Sequence, residues 1–381
     1  MGEIQTRDVM PTVAKVTVEA EARSALELLI GLSAATSRAE THDESWVPPP
    51  DRWSPALREA VFEVGERSGE AWLHLLGLAL ELPAGDAQSF VKGVARVDAL
   101  ELRRHLVGVY VPAWISLVGA STLERTAAGD EKAIASLLEH PRYYAGRAAE
   151  ALPTLLSVPP KETKRRLSTA LRLFAEEAFS PNEPEIMAPI VAAAEVTREL
   201  AETLAPQALI ASVTRGYVYE PEPEFDRVVL VPHVAARPLL LLCQHRAARV
   251  ICYPVSPEQL DPEASLAEET VLLGRALGDG RRVAILRRLA SGDATLDELA
   301  GATGLAKSTA HHHLAQLRAA GLVTLGGNAR GYWYALRSEG LRDAQRAIGD
   351  LVHAPPETAQ TLPRKQRSAG RPPIAKKRSA R

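Results

Sequence analysis

Cysteine occurs only twice in 381 residues. That excludes a disulfide scaffold and fits a reducing cytoplasm. Aromatic side chains make up 5% of the chain, while alanine, leucine, arginine and glutamate abound, a balance that favours helix. Neither sign of charge dominates: 45 Lys and Arg stand against 47 Asp and Glu, a formal net charge of −2. A uniform basic coat is therefore excluded, and any contact with nucleic acid must be local. No uninterrupted apolar run is long enough to span a bilayer, so no membrane partner is expected. The first residues show no basic segment followed by an apolar core, so no signal peptide is expected. P-loop, nucleophile-elbow, zinc-protease and dinucleotide signatures are also missing. Carboxylates lie on helix faces with arginine partners, so no catalytic residue, cofactor or enzyme activity is assigned. What remains is 46% apolar, ordinary for a core-forming protein, with length for two or three domains.

The densest pattern is Thr295 to Val323, TLDELAGATGLAKSTAHHHLAQLRAAGLV. Thr295 followed by Glu298 makes a capping box. Leu296, Leu299 and Ala300 then recur at helical spacing. Gly301 and Gly304 punctuate a turn plugged by Leu305. A second helix is expected over 307–320, with Ala310, Leu314 and Leu317 inward and Gly321 ending it. This is a helix-turn-helix pattern, whose second helix enters a DNA major groove. Its other face carries Lys307, Ser308, His311, His312 and Gln316 at three- and four-residue spacings. All can donate hydrogen bonds and none is acidic, which suits phosphates and base edges. A solvated face on an ordinary bundle would look similar, and the flanks decide between them.

Behind Gly321, two β-prone runs, Leu322–Leu325 and Tyr332–Leu336, surround a Gly/Asn loop, which makes a hairpin. A hairpin directly after a recognition helix is a wing, here 325–333, and Arg330 at its tip can reach a phosphate or the minor groove. Upstream, residues 277–289 supply another helix, with Val283, Leu286 and Leu289 expected inward.

Together, LGDGRRVAILRRLA, TLDELA, GLAKSTAHHHLAQLRAAGLV and GYWYAL resemble the winged helix of ArsR-type bacterial repressors over roughly 265–336. The resemblance implies a homodimer on a palindromic operator in double-stranded DNA, with Lys307, Ser308, Thr309, His311 and His312 near the duplex. The chain departs from the pattern twice. Gly280 replaces the usual proline, and Ala306 replaces a serine that often caps the recognition helix. Metal-sensing ArsR-type repressors carry a cysteine pair before the turn. TLDELAG has none, so the resemblance implies a regulator without that metal site.

Before the winged helix, residues 1–260 read as a helical N-terminal domain. A strand is expected within 11–20, then a helix over Glu21–Ala35. A polar loop, Ser37–Pro50, ends in three prolines flanked by Trp46 and Trp53. The tryptophans either line a ligand lid or anchor the loop to the core, and anchoring is the favoured reading. Helical periodicity covers Ser54–Leu82, Asp86–His105, Asp130–Glu139, Tyr143–Leu152, Lys161–Phe179 and Glu185–Ala205. Trp72 to Leu80 reads as one central helix. From Leu209 the period changes, and 209–212, 227–231, 238–243 and 249–253 read as short strands of a small antiparallel sheet. Pro254, Pro257 and Pro262 form a linker, and Ser265 with Glu268 starts the next unit. Some ArsR-type proteins carry a long helical domain ahead of the winged helix, and this arrangement is similar.

Cys243, His245 and Cys252, near His233, have irregular spacing, and both cysteines sit in apolar runs. His311, His312 and His313 point about 100° apart on a helix and cannot share one ion. No metal is assigned. After Pro363 come Arg364, Lys365, Arg367, Arg371, Lys376, Lys377, Arg378 and Arg381 without one acid. This tail, 355–381, is expected to be disordered and to hold DNA through salt-sensitive phosphate contacts.

The sequence thus describes a mainly α protein. A helical N-terminal domain with a small antiparallel β element precedes a winged helix-turn-helix at 265–345 and the basic tail. The expected function is cytoplasmic transcription regulation, as a repressor. The N-terminal domain would dimerise, bind a small-molecule effector, or both. The alternatives are a winged-helix protein-interaction module, or an enzyme with its site near Trp46–Trp53.

Overall fold

A computed structural model describes residues 16–37, 45–65, 67–260, 265–328 and 331–353. The basic tail lies outside the described residues, as does Arg330.

From Ser24 to Ala201 the described chain is almost wholly helical. The helix Ser24–Thr36 is central: every residue except Ala35 is buried. Aspartates cap three of these helices, and one of them, Asp98, cuts a long run expected from periodicity. Asp86 accepts from Ser89 N, Asp98 from Leu100 N and Glu101 N, and Asp130 from Ala133 N. The run 86–105 is therefore two helices, Ala87–Arg96 and Ala99–Val107, because a carboxylate that satisfies free amides starts a new helix. The stretch around Trp72 likewise splits into Gly69–Leu73 and Leu76–Glu81. Trp72, Leu75, Leu76 and Leu78 are all buried, as expected of a central element.

A four-stranded sheet has the order β1-β3-β5-β4. Its strands are β1 (Thr17–Ala20), β3 (Arg227–His233), β4 (Leu241–His245) and β5 (Ala248–Pro254). The expected antiparallel element is wrong for most of it. β1 pairs with β3 and β3 with β5 in parallel, and only β4 and β5 form an antiparallel hairpin. Parallel neighbours need a long crossover, and the helical run between β1 and β3 provides one. Side chains alternate across the sheet. Val229, Val231, Val250 and Cys252 pack on the helical layer, while Val228, Leu230, Ile251 and Tyr253 join a second core. Burial on both faces explains why β3 and β5 read as continuous apolar runs.

Residues 209–212 were expected as a strand but lie in the helix Pro206–Val213. Pro206 opens that helix, where its fixed φ and missing N–H cost nothing. A four-residue apolar run cannot by itself distinguish the two periods. The next strand, β2 (Tyr217–Tyr219), was not expected. It pairs in parallel with β6 (Val323–Asn328), which pairs with β7 (Gly331–Leu336).

The C-terminal unit contains the helices Ser265–Leu277, Gly280–Leu289, Leu296–Thr303 and Lys307–Ala319, the β6–β7 hairpin and a last helix, Ser338–His353. Its core is continuous with the outer sheet face: Leu299, Leu314, Leu317 and Val323 belong to the same cluster as Leu230 and Ile251. No helix among the described residues is long and apolar enough to cross a membrane.

Candidate nucleic-acid interface

Local chemistry builds the helix-turn-helix. Thr295 Oγ1 accepts from Glu298 N at 3.3 Å, and Thr295 N donates to Glu298 Oε2 at 2.7 Å. This reciprocal box fixes the start of the first helix. Gly304 closes that helix in the left-handed region at φ 66°, and Leu305 N returns to Ala300 O at 3.0 Å. Ala306 stands at the start of the recognition helix, Lys307–Ala319, with no side-chain acceptor. Ala310, Leu314 and Leu317 are completely buried beneath it. Gly321, at φ 69°, lets Leu322 N reach Leu317 O at 2.9 Å. Upstream, Asp279 caps the Gly280–Leu289 helix through Arg281 N at 2.7 Å, so glycine in place of proline still begins a helix. Ile285 and Leu289 are the buried positions there, whereas Val283 and Leu286 are half-buried.

The outward stripe has an exposed end and an engaged end. Lys307, Ser308 and His311 are exposed; Thr309, His312 and Gln316 are half-buried. Lys307 Nζ pairs with Asp297 Oδ1 at 2.7 Å, both side chains about two-thirds exposed (68% and 66%). An exposed pair is worth about 0–1 kcal/mol, so a phosphate can take the lysine at little cost. His312 Nε2 and Gln316 Nε2 lie 2.9 Å apart, and Gln316 Oε1 accepts from Arg282. His311 sits beside a small cavity that Leu239 and Leu240 also line. His313 is buried, 3.4 Å from Arg282 Nη1. The three consecutive histidines therefore have three different surroundings.

Two arginines that sequence patterning missed hold this arrangement. Arg282 binds Ala276 O at 2.9 Å as well as Gln316 and the carbonyl of Arg275, tying three helices together. Arg318, only 2% exposed, donates to Thr214 O at 2.8 Å and Pro238 O at 2.9 Å. It thereby fastens the recognition helix to the N-terminal part of the chain. Burial pushes its pKa down to about 10, which still leaves it charged at neutral pH. The available signal was a cation placed one turn beyond Leu314 on the apolar side. Beside the wing, Arg249 and Glu222 form a buried ion pair, with the guanidinium 4.8 Å over the Phe225 ring. A cavity of about 80 Å³ lies where the two parts meet, with Arg237, Val255, Leu272, Arg275, Gln316 and Arg318 among its walls.

The two tryptophans of the proline loop turn inward. Trp46 Nε1 donates to Glu27 Oε1 at 2.7 Å, and its ring meets Phe179 edge-on at 5.0 Å. Trp53 donates to Pro48 O at 2.9 Å and packs on Phe174. Both anchor the loop. Cys252 is fully buried in the sheet, and His233 Nε2 faces Leu239 O at 3.1 Å. Of the residues weighed for zinc, His245 alone joins a compact cluster of ligand-type side chains among the described residues, with Glu81 and His105.

Helix, turn, recognition helix and β-hairpin in this order define a winged helix-turn-helix. Residues 279–324 match the family model for bacterial regulatory proteins of the arsR family, and this segment is an ArsR-family helix-turn-helix domain. The HTH-type transcriptional regulator Rv0324 of Mycobacterium tuberculosis is 35% identical over 94 residues, 25% of this chain and 37% of that protein. The HTH-type transcriptional regulator CmtR of Mycobacterium bovis is 41% identical over 80 residues, 21% of this chain and 65% of that protein. The chain thus spans between about a third and two thirds of these relatives' lengths. A solution structure of the homodimeric winged helix-turn-helix DNA-binding domain of Mb0332 from Mycobacterium bovis is 33% identical. It covers 24% of this chain and 85% of that fragment, with a TM-score of 0.20.

Proposed function

We propose that this protein is a DNA-binding transcriptional regulator, acting as a repressor, that reads an operator with the N-terminal half of its recognition helix. One observation carries the reading. An ArsR-family helix presents Lys307 and Ser308 exposed, with Thr309 and His312 on the same outward side. Lys307 is placed for phosphate, and Ser308, Thr309 and His312 for base edges. Gln316 contributes through its contact with Arg282, while His311 flanks the duplex on the side of the N-terminal part. Arg330 on the wing is assigned to the backbone from sequence alone.

Paired helix-turn-helix units read two half-sites about one helical turn apart, so the binding form is assigned as a homodimer on a palindrome. The cavity walled by Arg237, Arg275, Gln316 and Arg318 is the place for a small-molecule effector. A ligand there touches the recognition helix directly, and it regulates only if it favours one placement of that helix over another. Selection of bound duplexes from random DNA tests the proposal. A recurrent palindromic motif is expected, with retention falling steeply as salt rises. Failure to enrich any sequence would overturn it.

A further inference from the structure

Outside the winged helix, three segments bring unlike side chains together. Glu81 ends the helix Leu76–Glu81, His105 lies in the helix Ala99–Val107, and His245 ends β4. One ligand atom from each lies within 4.8 Å of the other two. His245 Nε2 is 2.8 Å from Glu81 Oε1, and His105 Nε2 is 3.4 Å from Glu81 Oε2 and 3.7 Å from Glu101 Oε1. His105 is 2% exposed, yet neither ring nitrogen makes a hydrogen bond. A buried imidazole with both nitrogens unsatisfied is costly and unusual, and this one points its Nε2 at two carboxylates.

The cluster is also held in place. The His105 and His245 rings stack at 5.5 Å with 20° between planes. His245 lies so close to the backbone of Gly77 that a Cβ there would sit 2.1 Å from its Nδ1. Tyr110 donates to Glu101 Oε1 at 2.6 Å and fixes that carboxylate. Arg246 is the competing charge, with Nε 2.6 Å from Glu81 Oε1. Its side chain is half exposed and stacks 4.2 Å over Tyr110, so it can leave the carboxylate while keeping the ring.

We propose that Glu81, His105 and His245 form a binding site for a divalent transition-metal ion of the zinc type, with Glu101 or water as the fourth ligand. Two imidazoles with a carboxylate are the donor set such ions prefer, and all-oxygen ions such as Mg²⁺ and Ca²⁺ do not. On binding, Arg246 leaves as the ion arrives, so the two carboxylates face a dication in place of one guanidinium. The site depends on nothing assumed about DNA.

Cobalt(II) titration of the full-length protein tests it, followed by visible ligand-field absorption, with zinc added as competitor. The wild type is expected to show tetrahedral-type bands that zinc abolishes, saturating at about one equivalent per chain. Glu81→Gln and Gly77→Ala are each expected to weaken binding about tenfold or more, and His105→Gln to abolish the bands. A control, His140→Gln, removes a half-buried imidazole outside the cluster and outside the recognition helix and is expected to leave them unchanged. Glu81 is exposed, so its variant decides the matter even where a His105 variant fails to fold. Wild-type binding no tighter than that of Glu81→Gln would reduce the cluster to a hydrogen-bonded tie between helix and sheet and overturn the proposal.

Discussion

Glu27 places a carboxylate inside the helical layer at 1% exposure. It accepts from Trp46 Nε1, from Val234 N at 3.2 Å and from Ala235 N at 2.8 Å. Burial raises its pKa to about 7, and the three N–H donors hold it from rising further. The folded protein therefore binds this proton more tightly than the unfolded chain, where a glutamate titrates near 4.5. The resulting stability is complete below about pH 4.5 and is lost as pH rises towards 7, a loss of about 3 kcal/mol. Urea unfolding at pH 5 and pH 8 is expected to show the wild type losing markedly more stability than Glu27→Gln. Equal losses would contradict the assignment. Glu27 was not legible in the sequence: it occupies one position of an apolar helix, and its partners lie 19 to 208 residues away. The same holds for Arg282 and Arg318, whose bonds are to carbonyls and amides that no motif marks. Lys307 and Ser308 were legible because exposure on a short, well-bounded helix follows from local spacing alone.

At the scale of the element, the two helices of the motif differ in how they begin. Thr295 caps the first, while Ala306, at φ −63° and ψ 145°, offers the second the backbone of a cap without the oxygen. Ala306→Ser is expected to add about 1 kcal/mol, and Thr295→Ala to remove about as much. Chemical denaturation measures both, and no gain in the first variant would mean that its amides are already satisfied. Capping box, turn glycines and wing were readable because each rests on contacts a few residues apart. Two boundaries set by equally local signals, a proline and an aspartate, were missed. The run 209–212 became a helix behind Pro206, and the 86–105 run broke at the Asp98 cap. In the helix before the motif, Ile285 took the buried place expected for Val283.

On the scale of the molecule, the unexpected features concern pairing across long stretches of chain. β1 meets β3 in parallel, and β2 lends an edge to the wing through Tyr217↔Leu325 and Tyr219↔Gly327. Three residues of β2 carry little signal, and a sheet's direction cannot be read from its apolar runs. These pairings join the winged helix to the rest: one apolar cluster runs from Leu230 and Ile251 to Leu314 and Val323, and Arg318 crosses the same boundary. Calorimetry of the intact protein is accordingly expected to give one cooperative transition for the winged helix and the sheet. Two well-separated transitions, one of which survives in a fragment lacking residues 1–260, would show that the shared cluster contributes little.

The central claim is that the outward side of the recognition helix reads a duplex. Fluorescence anisotropy on a selected target, comparing the wild type with the combined Lys307→Ala, Ser308→Ala and His312→Ala variant, addresses it most directly. Each lost base contact costs about 1–3 kcal/mol, and loss of the lysine lowers the salt slope by about 1. The variant is expected to bind its target no better than unrelated DNA, with its melting curve unchanged. A variant that binds the target as tightly as the wild type would contradict the account.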